Sequence, residues 1–164
     1  MANIETVKSK ILAGDNFERW LNVVRFKGRR IVFTNGCFDI IHKGHIYYLA
    51  EASKLAEHLV IGLNTDASVK RIKGAERPLT DQDSRALVLA GLGFVSAVVL
   101  FDEDTPIELI KKIKPDFLVK GGDYLPVEIV GYDFVTSYGG KVLSLDLIEG
   151  YSTSDIIRKI KAGH

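Results

Sequence analysis

Residues 31–45, Ile-Val-Phe-Thr-Asn-Gly-Cys-Phe-Asp-Ile-Ile-His-Lys-Gly-His, decide the fold. The apolar start, Ile31 to Phe33, has the β-branched and aromatic content that is typical of a buried strand. Polar residues and glycines follow it directly. A helical pattern comes next, with Ile46 and Leu49 on one face. The stretch therefore predicts a strand, a polar loop and a helix, in that order.

The same alternation continues along the chain. Further strands are predicted at 59–63, 97–101, 117–119 and 142–147, and helices at 84–92, 105–113 and 152–160, with a loop and a short helix in 64–78. Because the strands are continuous apolar runs, we expect a Rossmann-like α/β fold, with a parallel sheet of about five strands and helices on both faces. Residues 4–26 predict one or two amphipathic helices with a break at Gly14 and Asp15. The expected organisation is one domain, residues 1–164, with an N-terminal helical extension (1–29) and a core (30–164).

The composition excludes several classes of protein. The 164 residues contain 22 basic and 21 acidic side chains, so a nucleic-acid or membrane partner is not expected. The single cysteine excludes a disulfide framework and is typical of a reducing compartment. The sequence shows neither a secretory signal nor an apolar run of about 20 residues, so we expect a soluble, cytoplasmic protein.

Two histidines, His42 and His45, follow the first predicted strand at the start of a helix. Free backbone N–H groups and the positive end of the helix dipole favour phosphate there, and both imidazoles can point at one anion. Gly36 and Gly44 would let the backbone approach a ligand. Capping or surface histidines are an equally good interpretation of the spacing alone. A metal site is not expected, because the other two histidines lie in unrelated contexts.

Three more polar clusters follow predicted strands. The first, residues 64–77, includes four cations that together match the charge of a triphosphate, although a solvated basic loop has the same composition. Within it, Asp66 is equally well explained as a helix N-cap. The second, residues 120–124, predicts either close approach to a ligand or a glycine turn. In the third, residues 150–154, Ser152 is expected to cap the last helix, and the same hydroxyls can hold phosphate oxygens.

The segment from Thr34 to His45 resembles the HxGH motif of the nucleotidylyltransferase superfamily, in its cytidylyltransferase-like branch. The likeness covers nearly all of residues 30–161, and it is carried by residues 62–74, Arg77-Pro78, 103–106, 115–124 and 150–154. Together these segments resemble the adenylyltransferase domain that makes ADP-heptose, here as a stand-alone protein. The resemblance implies transfer of AMP from ATP to a sugar 1-phosphate, D-glycero-β-D-manno-heptose 1-phosphate, with release of pyrophosphate.

The resemblance also implies a set of site residues. Catalytic roles fall to His42, His45 and Lys73. Nucleotide and phosphate contacts are expected from Thr34, Asn35, Gly36, Cys37, Phe38, Gly44, Lys120, Gly121, Ser152, Thr153 and Ser154. Acceptor contacts are expected from Asp39, Asn64, Asp66, Arg77, Arg85 and Asp123. Mg2+ is expected to arrive with ATP, without dedicated protein ligands, and the family implies a homo-oligomer.

One departure bears on the triphosphate contacts, and residue spacing alone does not choose the nucleotide base. Related glycerol-phosphate enzymes carry an arginine before the serine-rich motif, and residues 147–149 contain none. A CTP-dependent cytidylyltransferase acting on a polyol phosphate such as glycerol 3-phosphate is one alternative. A non-catalytic nucleotide-binding module is another.

Overall fold

Five parallel strands form one sheet in the computed structural model, which describes residues 3–148 and 151–163. Gly150, the first residue of the last polar cluster, and Glu149 before it lie outside the described residues. The strands are β1 (Ile31–Gly36), β2 (His58–Asn64), β3 (Ala97–Phe101), β4 (Phe117–Gly121) and β5 (Lys141–Leu145). Their order across the sheet is β3-β2-β1-β4-β5. The predicted Rossmann-like fold is confirmed.

Burial on both faces of the sheet explains the continuous apolar runs. Along β1, Ile31 and Phe33 face one apolar core, and Val32 between them faces a second core on the other side. Phe33 lies opposite Val60 of β2 in register, so each core continues across the neighbouring strand. A strand buried on both faces needs no polar positions, which is why the sequence shows no alternation.

Helices cover both faces. They are α1 (Ile4–Lys8), α2 (Gly14–Phe26), α3 (Lys43–Ser53), α4 (Asp66–Lys73), α5 (Gln82–Ala90), α6 (Ile107–Ile113), α7 (Tyr132–Ser137) and α8 (Thr153–Lys161). One core takes side chains from α2, α6 and α7, and the other from α3 and α5. Helix α7 and a 3-10 turn at Pro126–Glu128 were not predicted, because both are too short to show a period. None of the helices in the described ranges has the length and apolarity that crossing a bilayer requires.

The N-terminal segment belongs to the sheet and the core. Phe17, Leu21 and Val24 of α2 are buried in the first core. The predicted helix break at Gly14 and Asp15 is wrong, because both residues belong to α2 and the break includes Ile11 and Leu12. Ile11 forms a parallel bridge with Val98, and the Leu12 amide donates to the Val98 carbonyl at 2.9 Å. These residues lie between α1 and α2 and cover part of the open edge of β3, where strand backbone needs partners.

The strand order places a ligand site at the carboxyl end of β1. The chain moves from β1 outward to β2 and β3, and then crosses back to β4 on the other side of β1. The connections at β1 and β4 therefore run in opposite directions, which opens a crevice above their carboxyl ends. Asn35 of β1 and Lys120 of β4 meet there, since the Lys120 ammonium donates to the Asn35 carbonyl at 3.3 Å.

Close packing across β1 and β2 generates a stability prediction. A Cβ added at Gly62 would lie 2.7 Å from Cζ of Phe33, whereas a Cβ added at Gly93 meets nothing within 4 Å. We expect Gly62→Ala to lower the free energy of unfolding by about 1–3 kcal/mol through overpacking. Urea unfolding measures the change, with Gly93→Ala as the matched control. Equal stability of the two variants would contradict this account of the core.

Candidate active site

A cleft opens at the carboxyl ends of β1 and β4. It consists of two adjoining cavities, one of about 450 Å³ towards α4 and one of about 240 Å³ towards α8. We call them the α4-side and α8-side cavities. Both are lined by residues 35–38 of the β1–α3 connection, and by His45, Lys120 and Thr153. The cleft thus brings three sequence-distant clusters to one place.

The two histidines stack against each other in this cleft. Their ring centroids are 3.9 Å apart, and the Phe38 ring lies 5.3 Å from that of His45. The Nδ1 atoms of both His42 and His45 are buried and have no hydrogen-bond partner among the described residues. Buried polar atoms are almost always satisfied, so two orphaned imidazole nitrogens at one cleft indicate that a ligand completes them.

Burial also sets the charge of these rings. Burial, and to a lesser extent the neighbouring His42, lower the pKa of His45 to about 4, although the Ile40 backbone opposes this shift. Burial lowers the pKa of His42 as well. Without a ligand, both rings are therefore neutral at physiological pH.

The start of α3 supplies free donors beside the rings. His42 is the N-cap residue of α3, and its side chain makes no capping hydrogen bond. The first backbone bond of the helix runs from Ile46 to the His42 carbonyl, so the amides of Lys43, Gly44 and His45 remain without helical partners. A phosphate at this position would meet amide donors and the positive end of the helix dipole.

The helix α8 brings a second N-terminus to the cleft. Ser152 is its N-cap and accepts a hydrogen bond from the Asp155 amide at 3.0 Å, so the predicted cap is confirmed. Thr153 and Ser154 line the α4-side cavity, and the Thr153 hydroxyl donates to the Ile40 carbonyl at 3.4 Å. That bond ties α8 to the histidine segment.

Cations line the cleft on both flanks. Lys73, at the end of α4, lines the α4-side cavity, and Lys120 lines both cavities. Burial lowers the pKa of Lys120, and the positive charge of Lys73 also lowers it. A polyanion bound beside these two ammonium groups would stabilise the charged form of Lys120 that burial and Lys73 disfavour. Burial raises the pKa of the Cys37 thiol, which disfavours a nucleophilic role for Cys37.

A buried carboxylate fixes the loop under the cleft. The side chain of Asp39 is 1% exposed and pairs with the Arg77 guanidinium at 2.6 Å. Its oxygens also accept from the amides of Leu79 and Thr80, at 2.8 and 3.0 Å. Burial opposes ionisation of Asp39, but the two amides and Arg77 outweigh it and hold the pKa of the carboxyl below its usual value. Asp39 and Arg77 both reach the α4-side cavity, although they are largely engaged with each other.

The prediction that Arg85 contacts an acceptor is corrected by its burial. Its side chain is 1% exposed, and its guanidinium donates to the carbonyls of Cys37 and Thr80 and to the Asp66 carboxylate. Asp66 therefore faces Arg85. The predicted N-cap role of Asp66 is also wrong, because Thr65 caps α4 by accepting from the Ser68 amide.

Fifteen of the twenty residues that sequence analysis assigned to the site line the cleft. They are Asn35, Gly36, Cys37, Phe38, Asp39, His42, His45, Asn64, Lys73, Arg77, Lys120, Gly121, Ser152, Thr153 and Ser154. The other five are Thr34, Gly44, Asp66, Arg85 and Asp123. The Thr34 hydroxyl is buried against the Tyr48 hydroxyl, and Asp123 is exposed away from both cavities. Gly44 lies behind the His42 ring, where an added Cβ would be 3.1 Å from that ring.

Sequence reasoning missed several residues that line the cleft. They are Ile72, Asp104, Thr105, Pro106, Val130, Leu147 and Tyr151. Asp104 to Pro106 follow the carboxyl end of β3, so the rule that located the other clusters also locates them. Val130 lies beside the unpredicted helix α7, and nothing in its local sequence marks it.

Protonation of the two imidazoles should accompany binding of a polyanion. A triphosphate in the cleft stabilises the charged rings and raises both pKa values above their free values. At a pH between the free and the bound pKa values, the protein takes up protons when triphosphate binds. Its affinity for inorganic triphosphate is therefore expected to rise as pH falls from about 7 to about 5. Calorimetric titration at about pH 6, in two buffers of different ionisation enthalpy, measures the uptake. The double variant His42→Asn/His45→Asn is expected to lose it, and an uptake that survives this change would contradict the assignment.

Comparison with known proteins agrees with this geometry. The family model described as Cytidylyltransferase-like matches residues 33–159. A curated relative, Bifunctional protein HldE of Syntrophotalea carbinolica, is 52% identical over 152 residues, which cover 93% of this chain and 31% of that protein. Bifunctional protein HldE of Campylobacter concisus is 55% identical over 156 residues, covering 90% and 32%. The chain thus spans about a third of the length of these relatives.

Solved structures show the same fold. The crystal structure of the lipopolysaccharide core biosynthesis protein from Thermoplasma volcanium is 29% identical, with a TM-score of 0.60, and covers 76% of this chain and 100% of that one. Pantoate-beta-alanine ligase from Francisella tularensis, at 14% identity and a TM-score of 0.58, covers 92% and 77% and shares the fold alone. From the family model, the relatives and the fold, we conclude that the chain belongs to the cytidylyltransferase-like family and is a nucleotidyltransferase.

Proposed function

We propose that this nucleotidyltransferase moves AMP from ATP to a sugar 1-phosphate, D-glycero-β-D-manno-heptose 1-phosphate, and releases ADP-heptose and pyrophosphate. The observation that carries the phosphate-transfer part is the pair of stacked histidines with buried, unpartnered Nδ1 atoms beside the uncapped start of α3. The choice of ATP and of a heptose acceptor rests on the sequence resemblance. It is supported by relatives named HldE and by a structural relative named as a lipopolysaccharide core biosynthesis protein.

The two cavities support a division between the two substrates. Residues expected to contact the acceptor, Asn64 and Arg77, line only the α4-side cavity, and so does Lys73. Of the residues expected to contact the nucleotide, Gly121 and Ser152 line only the α8-side cavity, whereas Ser154 lines only the α4-side cavity. The histidine segment lies between them. We therefore place the acceptor phosphate towards α4 and the nucleotide towards α8, with the reacting phosphorus near His45.

Transfer in this arrangement proceeds by direct in-line attack. An oxygen of the sugar phosphate forms a bond to the α-phosphorus of ATP, and the bond from that phosphorus to the bridging oxygen of pyrophosphate breaks. No covalent enzyme intermediate is required, so catalysis consists of positioning and charge stabilisation. His42, His45 and the α3 amides bind the nucleotide phosphates, and Lys73 and Lys120 neutralise charge on the two flanks. Protonated His45 is suited to stabilise the charge that develops on the leaving pyrophosphate.

The cleft offers Mg2+ little from the protein side. The residues that the structure describes contain no group of three His, Cys, Asp or Glu side chains able to hold a metal ion. Asp39 is already paired with Arg77, and Asp104 with Arg71. We therefore assign Mg2+ no protein ligand and propose it only as the counter-ion that ATP phosphates bring.

The substrate assignment is tested by measuring pyrophosphate release with each pair of candidate substrates. Purified protein is assayed with ATP or CTP, each with heptose 1-phosphate or glycerol 3-phosphate. We expect release to be fastest with ATP and heptose 1-phosphate, and ADP-heptose to form in equal amount. Faster release with CTP and glycerol 3-phosphate would contradict the assignment in favour of a cytidylyltransferase.

The histidine assignment is tested by substitution. His45→Ala should lower kcat by roughly 100- to 1000-fold, the usual cost of losing one group that stabilises developing charge. His58→Ala is the matched control, because His58 is half-buried against Trp20 at the opposite end of β2, with ring centroids 5.5 Å apart. Steady-state kinetics and circular dichroism are measured on both variants. Equal kcat values for the two folded variants would remove His45 from the mechanism.

A further inference from the structure

Arg85 is an arginine without access to the cleft. It lies on α5 with a 1% exposed side chain, and its guanidinium donates hydrogen bonds to three partners from separate segments. Nη1 donates to the Cys37 carbonyl at 2.5 Å, Nε to the Thr80 carbonyl at 3.0 Å, and Nη2 to the Asp66 carboxylate at 2.7 Å. Burying a guanidinium is costly unless such partners are in place, so the three contacts are fixed in relation to each other.

Together with Asp39, these contacts form a ring around residues 37–39 of the β1–α3 connection. The Thr80 carbonyl accepts a hydrogen bond from Arg85, and the Thr80 amide donates to the Asp39 carboxylate at 3.0 Å. Asp39 is two residues beyond Cys37, whose carbonyl Arg85 also holds. The residue between them, Phe38, has a φ of +46°, a conformation that a bulky side chain adopts only when its surroundings impose it. Arg85 and Asp39 therefore hold both sides of a strained residue.

The orientation of the Cys37–Phe38 peptide follows from this ring. In a trans peptide, the C=O and the N–H point in opposite directions. The Cys37 carbonyl points to the buried Arg85, and so the Phe38 N–H points away from it. Cys37 and Phe38 line both cavities, whereas Arg85 lines neither. Within the described ranges, no acceptor is bonded to the Phe38 N–H.

We propose that Arg85 is a positioning residue for nucleotidyl transfer, which holds the Cys37 carbonyl out of the cleft and thereby aims the Phe38 N–H at the phosphates of the nucleotide. This inference rests on the proposed function. Through Asp66, the first residue of α4, the same guanidinium also joins this loop to the helix that ends in Lys73. One buried side chain thus sets the distance between a backbone donor and a phosphate-binding lysine.

The first test observes the Phe38 amide directly. The chain has eight phenylalanines, so protein labelled with 15N at phenylalanine gives eight amide signals, and Phe38→Leu identifies that of Phe38. We expect MgATP without acceptor to move the Phe38 signal downfield in the wild type, and to leave it nearly unmoved in Arg85→Lys. Lysine keeps the charge but reaches fewer of the three partners. If ATP binds to the wild type but does not move its Phe38 signal, the proposal is overturned. This outcome counts even if Arg85→Lys does not fold.

Kinetics supply the second test, with Arg25→Lys as the matched control. Arg25 also donates to two backbone carbonyls and one carboxylate, those of Ile113, Lys114 and Asp116, away from the cleft. We expect Arg85→Lys to lower kcat by about 100-fold, as misplacement of a binding group does, with an acceptor KM that changes much less. Arg25→Lys should keep wild-type kcat. If the wild type turns over ATP and the two variants have equal kcat, the role of Arg85 is overturned but the proposed function is not. If the wild type neither binds nor cleaves ATP, the proposed function itself is overturned.

Discussion

Asp39 carries a carboxylate into the interior directly beneath the cleft, where the amides of Leu79 and Thr80 and the guanidinium of Arg77 surround it. A buried charge without those partners would be strongly destabilising, so the carboxylate and the residue 77–80 segment hold each other in place. Asp39 also lies in the β1–α3 connection, three residues before His42. The position of the histidines relative to β1 therefore depends on this contact, and the groups that face the cleft depend on the position of the histidines.

The polar groups of the cleft share one property, which is that each would be stabilised by a bound anion. Among the residues that the structure describes, the first-turn amides of α3 have no helical partners and the two Nδ1 atoms have no hydrogen-bond partners. Burial lowers the pKa of His42, His45 and Lys120. Each of these features disfavours the empty site and favours one that holds a polyanion. The strand order explains why they meet, because the connections at β1 and β4 diverge and leave the carboxyl ends of both strands open. The groups that favour a polyanion here are therefore held in place by the fold and are not flexible surface charges.

Sequence patterns predicted the structure correctly where a single physical rule decides it. Continuous apolar runs located all five strands, and the rule that ligands bind at the carboxyl ends of parallel strands located most of the cleft. They failed where tertiary contacts decide. Ile11 has a helical spacing but pairs with Val98, because an open strand edge needs backbone partners. Arg85 was grouped with ligand-binding cations, since composition does not show that a guanidinium faces Cys37 and Asp66 rather than solvent. Asp66 was expected to be an acceptor contact or a helix N-cap, and it pairs with Arg85 instead.

The central claim is that paired imidazoles at the start of α3 gather the phosphates of a nucleotide. A crystal structure of the chain with a non-hydrolysable ATP analogue tests it most directly. The account predicts phosphate oxygens within hydrogen-bond distance of both His42 and His45 and of amides in the first turn of α3. A triphosphate bound elsewhere in the chain, with both rings still stacked and their Nδ1 atoms still unpartnered, would contradict it.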